Sequence, residues 1–181
     1  IAFAALLFFR VLPGYMESTM NRIDGQPLIE VGPEAKAWHQ SLNVVDLHSD
    51  TLMWDRELTE PSNRGHEDLP RLIAGNVALQ VFSSVTKTPK GLNYDANDSH
   101  SDVLPALLMA QGQPRRTWFG LLERSLFHAH KLDVSVSLSN GMLRKVTDRY
   151  GLDQLLAART TPGGPVGALL SIEGLQNLEG K

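Results

Sequence analysis

Apolar positions along the chain fall into short runs, separated by polar breaks rich in glycine and proline. Residues 43–47 (NVVDL), 77–85 (VALQVFSSV) and Val166–Ile172 (VGALLSI) are nearly continuous aliphatic runs, the form that strands buried on both faces take in a parallel sheet. Residues 143–147 make a further strand candidate. Helical patterns lie between them. Pro33 suits a first helical turn, and Ala35, Ala37, Trp38 and Leu42 supply a short amphipathic helix. Residues 68–74 predict a helix ending at Gly75, and helices are also predicted over 101–110, 114–131 and 152–159. Within 114–131, Trp118, Leu122, Leu126 and Ala129 recur at four and three residues and predict a core-facing stripe. Residues 87–98, with Pro89, Gly91 and Asn93, read as a long loop, and Pro162-Gly163-Gly164-Pro165 as a sharp one. Strands alternating with helices predict an α/β architecture with a parallel sheet. No internal repeat is visible.

The first residues have a different character. Residues 1–9 (IAFAALLFF) are continuously apolar, followed by Arg10, a Pro13-Gly14 break and polar sequence from Glu17. A bilayer-spanning helix needs about 20 such residues. Because the chain begins with Ile rather than Met, the expectation is that 1–20 is the remnant of an N-terminal membrane anchor or signal helix. No A-x-A cleavage pattern follows it. The alternative is a short buried helix. Residues 21–32, polar and proline-containing, read as a linker, and the folded domain is expected over 33–181.

Composition narrows the chemistry. The 181 residues are 42% hydrophobic and 20% charged, the make-up of a soluble globular protein with a sizeable core. Net charge is -3 with the 17 basic residues scattered among 20 acidic ones, so no cationic surface for a nucleic-acid backbone is implied. The chain has no cysteine, which leaves imidazole and carboxylate as the available metal ligands.

His48 and Asp50 follow the first strand run at positions i and i+2, and Glu173 follows the last. Side chains two apart on a strand share a face, so His48 and Asp50 can converge on one point. Imidazole nitrogen and carboxylate oxygen form the mixed donor set of catalytic zinc, and a carboxylate such as Glu173 can bridge two cations. An HxD pattern also arises by chance. The competing assignment makes His48 and Asp50 turn residues capping the next segment, and Glu173 a surface carboxylate. His128-Ala129-His130 looks like a metal pair but lies in a helical pattern, where residues two apart are about 200° around the axis. His39, His66 and His100 are given no role, Arg115-Arg116 reads as a surface pair, and Tyr94 and Asp95 sit in the long loop.

The string Val44-Val45-Asp46-Leu47-His48-Ser49-Asp50-Thr51-Leu52 resembles the opening motif of the membrane (renal) dipeptidase family of zinc metallopeptidases. Asp68-Leu69-Pro70-Arg71-Leu72 with Gly75 and Asn76, Leu79-Gln80-Val81-Phe82-Ser83, and Ser171-Ile172-Glu173-Gly174 are similar to later segments of that family, in its order. The resemblance runs from about Val44 to Gly174. It implies a (β/α)8 TIM-barrel-like fold. Such a barrel needs roughly 250 residues, so 33–181 would be the N-terminal part of an incomplete catalytic domain.

The family also implies two Zn2+ ions, with His48 and Asp50 holding one and Glu173 bridging both as the catalytic carboxylate. The implied reaction is hydrolysis of dipeptide amide bonds by a hydroxide activated between the metals. Some members also open β-lactam rings. A membrane tether through the apolar N-terminus, facing the periplasm or cell exterior, is the implied location. The family expects further histidines, an arginine and an aspartate downstream of the glutamate; none can be assigned before Lys181, and substrate-binding residues stay unassigned. The chain alone is therefore expected to be an inactive fragment. Two alternatives stay open: another amidohydrolase-type enzyme acting on lactams or cyclic amides, and a catalytically silent membrane-anchored binding domain.

Overall fold

A computed structural model describes residues 2–25, 27 and 29–181. Ile1 of the apolar run, and Gln26 and Leu28 of the expected linker, lie outside the described residues. Four parallel strands, β1 (Val44–Ser49), β2 (Val77–Ser84), β3 (Leu143–Lys145) and β4 (Val166–Ile172), form one sheet in the order β1-β2-β4-β3. The helices are α1 (Ala2–Leu6), α2 (Leu12–Met20), α3 (Pro33–Gln40), α4 (Leu69–Ala74), α5 (Leu104–Ala110), α6 (Leu121–Leu138) and α7 (Arg149–Ala158). The α/β class and parallel sheet are thus as the apolar runs indicate.

The sheet is covered on both faces. Phe82, Val166 and Ala168 point to one side, into the main core with Leu52, Leu58, Leu69, Leu72, Leu132 and Leu143. Gly167 points to the other, where a Cβ would lie 2.5 Å from Leu155 Cδ2 of α7 and 2.6 Å from Leu79 Cδ1. The chain passes over one face through α6 to reach β3 and then turns back to β4. Right-handed crossovers put the returning helix on the opposite face, and α7 is there. β1 is the exception to burial: Val45 and Leu47 are exposed, Leu47 at 75%.

Local chemistry explains where the helices start. Asp68 caps α4 by accepting from Arg71 N–H at 3.0 Å, and Asp148 caps α7 by accepting from Gly151 N–H at 2.7 Å. The predicted helix over 114–131 departs from what is seen. A 3-10 turn at Arg115–Thr117 leads to an extended Gly120, and α6 begins only at Leu121 and runs to Leu138. Its predicted stripe is also corrected: Leu126 is 54% exposed, and Trp118, Leu122 and Ala129 are only partly buried. Arg124, Ser125, His128, Leu132 and Ser135 are the residues that α6 buries. Hydrogen bonding makes this polar face an inner one. Arg124 donates from Nε to Thr117 O at 2.6 Å and from Nη1 to Asp102 Oδ2 at 2.7 Å, and it also reaches the Thr86 and Trp118 carbonyls.

The N-terminal segment does not break at Pro13-Gly14. α1, a π-helical turn at Leu7–Val11 and α2 run on as one helical stretch, and Pro13, which has no N–H to donate, falls where the π turn gives way to α2. Glu17 and Met16 dock this stretch onto the domain, Met16 against the cluster formed by Met53, Trp54, Val85, Leu104, Leu107 and Leu108. Leu6, Leu7, Phe9 and Val11 are exposed. Among the described residues, no helix is long and apolar enough to cross a membrane.

Arg124 is fully buried, so its replacement tests how far α6 depends on polar contacts. Arg124→Met strands the Asp102 carboxylate and three carbonyls, and the expected loss is about 3–5 kcal/mol in urea unfolding. A loss no larger than that of an exposed control such as Arg149→Met would show that the network does not hold α6.

Candidate metal centre

In a parallel sheet every strand ends on the same side, so β1 and β4 deliver their last residues to one rim. β1 does so with a bulge: Asp46 pairs with Gln80 and Ser49 with Phe82, three steps along β1 against two along β2. A bulge re-aims the side chains around it, and an unbroken strand is therefore not what brings His48 and Asp50 together. Asp50 sits just beyond β1, at the N-cap of a 3-10 turn over Thr51–Met53. β4 is separated from β1 by β2, a gap of about 10 Å at normal strand spacing. His48 and Glu173 are long enough to close it.

His48 Nε2 lies 3.1 Å from Asp50 Oδ1 and 3.1 Å from Glu173 Oε1. Among the described residues, this is the one group of three or more His, Cys, Asp or Glu side chains with ligand atoms all within 4.8 Å of each other. The three predicted metal ligands thus come together. Donors about 2.1 Å from a shared tetrahedral ion are roughly 3.4 Å apart, close to both 3.1 Å separations. One imidazole and two carboxylates suit zinc. Burial, and then the nearby Asp50 charge, raise the Glu173 pKa above its usual range, and His48 opposes both. A cation at the three side chains would relieve that repulsion. The residues present therefore fit a divalent ion of the zinc type.

Glu173 is held by its backbone. Its N–H donates to Ser84 O at 3.3 Å, and Gln176 Nε2 donates to its carbonyl at 3.1 Å. Gly174 adopts φ 79° beneath Gln176, whose side-chain carbonyl oxygen would lie 2.1 Å from any added Cβ. Only glycine fits there. The turn after Asp50 has its own anchors. Lys131 Nζ donates to Leu52 O at 2.9 Å and Trp54 O at 2.5 Å, and burial lowers its pKa to about 8. Arg56 donates to Thr51 Oγ1 and to Glu67 O, both at 3.0 Å, and the Ser49 hydroxyl donates to the Glu67 carboxylate.

Sequence reasoning missed Arg56, Glu67 and Lys131. No motif marks them, and only their spatial return to the turn gives them weight. It also missed a cavity of about 160 Å3 beside Asp50, lined by Trp54, Arg56, His66 and Glu67 among others. A cavity of about 430 Å3 lies among Lys87, Asp98, Leu121 and Gln176 on the same side of the sheet. Tyr94 and Asp95 are exposed and line neither. The histidine pair in α6 diverges as helical geometry requires: His130 is exposed, and His128 is buried with Nδ1 2.8 Å from the Ser84 hydroxyl. His39 contacts Gly75 O at 3.0 Å, away from the three ligands.

Two buried groups give opposite pH dependences. Burial raises Glu67 from 4.5 to about 7, so its contribution to stability is full below pH 4.5 and is lost as pH rises through 7. Burial, with Lys131 and Arg124 nearby, lowers His128 from 6.5 to about 3, so its contribution is full above pH 6.5 and is lost as pH falls towards 3. Glu67→Gln is expected to flatten the alkaline decline between pH 4.5 and 7, and His128→Gln the acid decline below 6.5, in urea midpoints measured across pH. Profiles parallel to wild type would exclude these assignments.

No protein-family model, curated protein or solved structure matches the chain.

Proposed function

We propose that this chain belongs to a zinc-dependent dipeptidase, in which His48 and Asp50 hold one ion and Glu173 is shared with a second. The observation that carries the reading is the approach of His48 Nε2 to Asp50 and Glu173, each at 3.1 Å, from the ends of two different strands. Zinc bound there supplies Lewis acidity towards an amide carbonyl and brings the pKa of water into the neutral range. His48 contributes a neutral nitrogen donor, and the two carboxylates contribute the negative charge. Glu173, whose proton is held more tightly than in free glutamate, gives that proton up when it becomes a ligand.

A (β/α)8 barrel is the finer architecture we infer. β1, β2 and β4 lie side by side in parallel, as barrel strands do, and the three-residue β3, which lies beyond β4 rather than between β2 and β4, would stand outside the barrel's regular strand order. The exposed Leu6, Leu7, Phe9 and Val11 favour a membrane-tethered location on the periplasmic or extracellular side.

Zinc content and turnover of dipeptides, assayed beside a β-lactam and a cyclic amide in the full-length protein, test the proposal. Stoichiometric zinc and dipeptide cleavage are expected, both abolished by His48→Ala with the fold retained. A folded wild-type protein that binds no zinc would end the reading. Cleavage of cyclic amides alone would keep the centre and change the substrate class.

A further inference from the structure

Glu17 is 3% exposed, although it lies on the same N-terminal helical stretch as the exposed Leu7 and Phe9. Its carboxylate pairs with Arg56 Nε and lies 2.9 Å from Arg64 Nε. A carboxylate buried this far is stable only when it is paired. Arg56 is itself almost fully covered, and the rest of its fork is directed at the ligand-bearing turn. Nη2 donates to Thr51 Oγ1 and Nη1 to Glu67 O, both at 3.0 Å. Thr51 follows Asp50 directly, and its N–H donates to Ser49 Oγ at 3.3 Å. Ser49 lies between His48 and Asp50, and its hydroxyl is bound by Glu67. Gly65 N–H closes the same region by donating to Asn21 O at 2.7 Å, just past the end of α2. Contacts are therefore unbroken from α2, through one guanidinium, to the residues on either side of Asp50.

We propose that α2 is a latch on the metal turn, with Glu17 and Arg56 as positioning residues whose pairing sets the affinity of His48, Asp50 and Glu173 for a divalent cation. This rests on the metal-centre reading above. The planar fork of arginine reaches Glu17, Thr51 and Glu67 in one fixed geometry, which the single ammonium of lysine cannot do. Groups that hydrogen-bond to a metal ligand alter affinity by about 10–100-fold when removed, and Arg56 and Glu17 act at one and two removes from that, through Thr51, Ser49 and Glu67. Coupling between two sites is reciprocal, so cation binding at the turn must also tighten α2.

Zinc affinity of the full chain, measured by competition with a chromophoric chelator, reads the latch directly. Glu17→Gln and Arg56→Lys are each expected to weaken zinc binding severalfold, up to about tenfold, with the helical circular-dichroism signal unchanged. Wild-type affinity in both folded variants would overturn the proposal. If either variant fails to fold, the wild-type protein supplies the test: zinc should slow amide exchange in residues 12–20 as well as in 50–54, and protection confined to 50–54 would overturn it. A chelator-treated comparison separates this from the metal reading. Without any metal, Glu17→Gln should speed amide exchange at 51–53, and no change there would count against the latch whether or not the wild type binds zinc.

Discussion

The parallel alignment of β1, β2 and β4 is the constraint on which the rest depends. It places the ends of strands that are far apart in sequence on one rim, so His48 and Asp50 meet Glu173 without any long loop having to fold over. Parallel strands also demand connections that cross the sheet, and here those connections become working parts. α6 supplies Lys131, which holds the turn after Asp50 by two carbonyls, and the segment between the 3-10 turn and α4 supplies Glu67. The site is thus built from strand ends and secured by the crossovers that the sheet makes unavoidable.

Charge is handled differently in the two layers. The three side chains His48, Asp50 and Glu173 are about half exposed, open to water and to a cation of the kind proposed above. The groups behind them are covered and paired: Arg56 with Glu17, Arg124 with Asp102, Lys131 with backbone carbonyls. A solvated outer layer can exchange ligands quickly, and a dry inner layer keeps the backbone from following.

Much of this was readable from the chain alone. The apolar runs located β1, β2 and β4 to within two residues, because parallel strands carry a nearly unbroken apolar signal, whereas β3, only Leu-Arg-Lys, was a candidate without one. The HxD spacing and the carboxylate after the last run identified the three side chains that come together, although the bulge in β1 was invisible to a pattern that counts only every second residue. Helix α6 was misread for a physical reason. Arg124, Ser125, His128 and Ser135 are polar, and periodicity assigns polar residues to solvent unless the partners that satisfy them are known. Those partners, including Thr86, Asp102 and Ser84, lie on other elements, as do the acceptors of Arg56. Proline and glycine at positions 13 and 14 suggested an end where the helical stretch continues, because a π-helical turn at Leu7–Val11 leads directly into α2.

The polar inner face of α6 has a consequence for how the chain finds its native state. Leu122 and Leu126 give the helix a second, greasier side that hydrophobic collapse alone would turn inward. The two sides compete as alternative rotational settings of one rod. Only when the strand bearing Ser84 and the loop bearing Thr86 and Asp102 are in place do hydrogen bonds choose between them. The rotational setting of α6 in the native state is therefore fixed by recognition between polar groups, and it holds only while the neighbouring elements keep those partners in position.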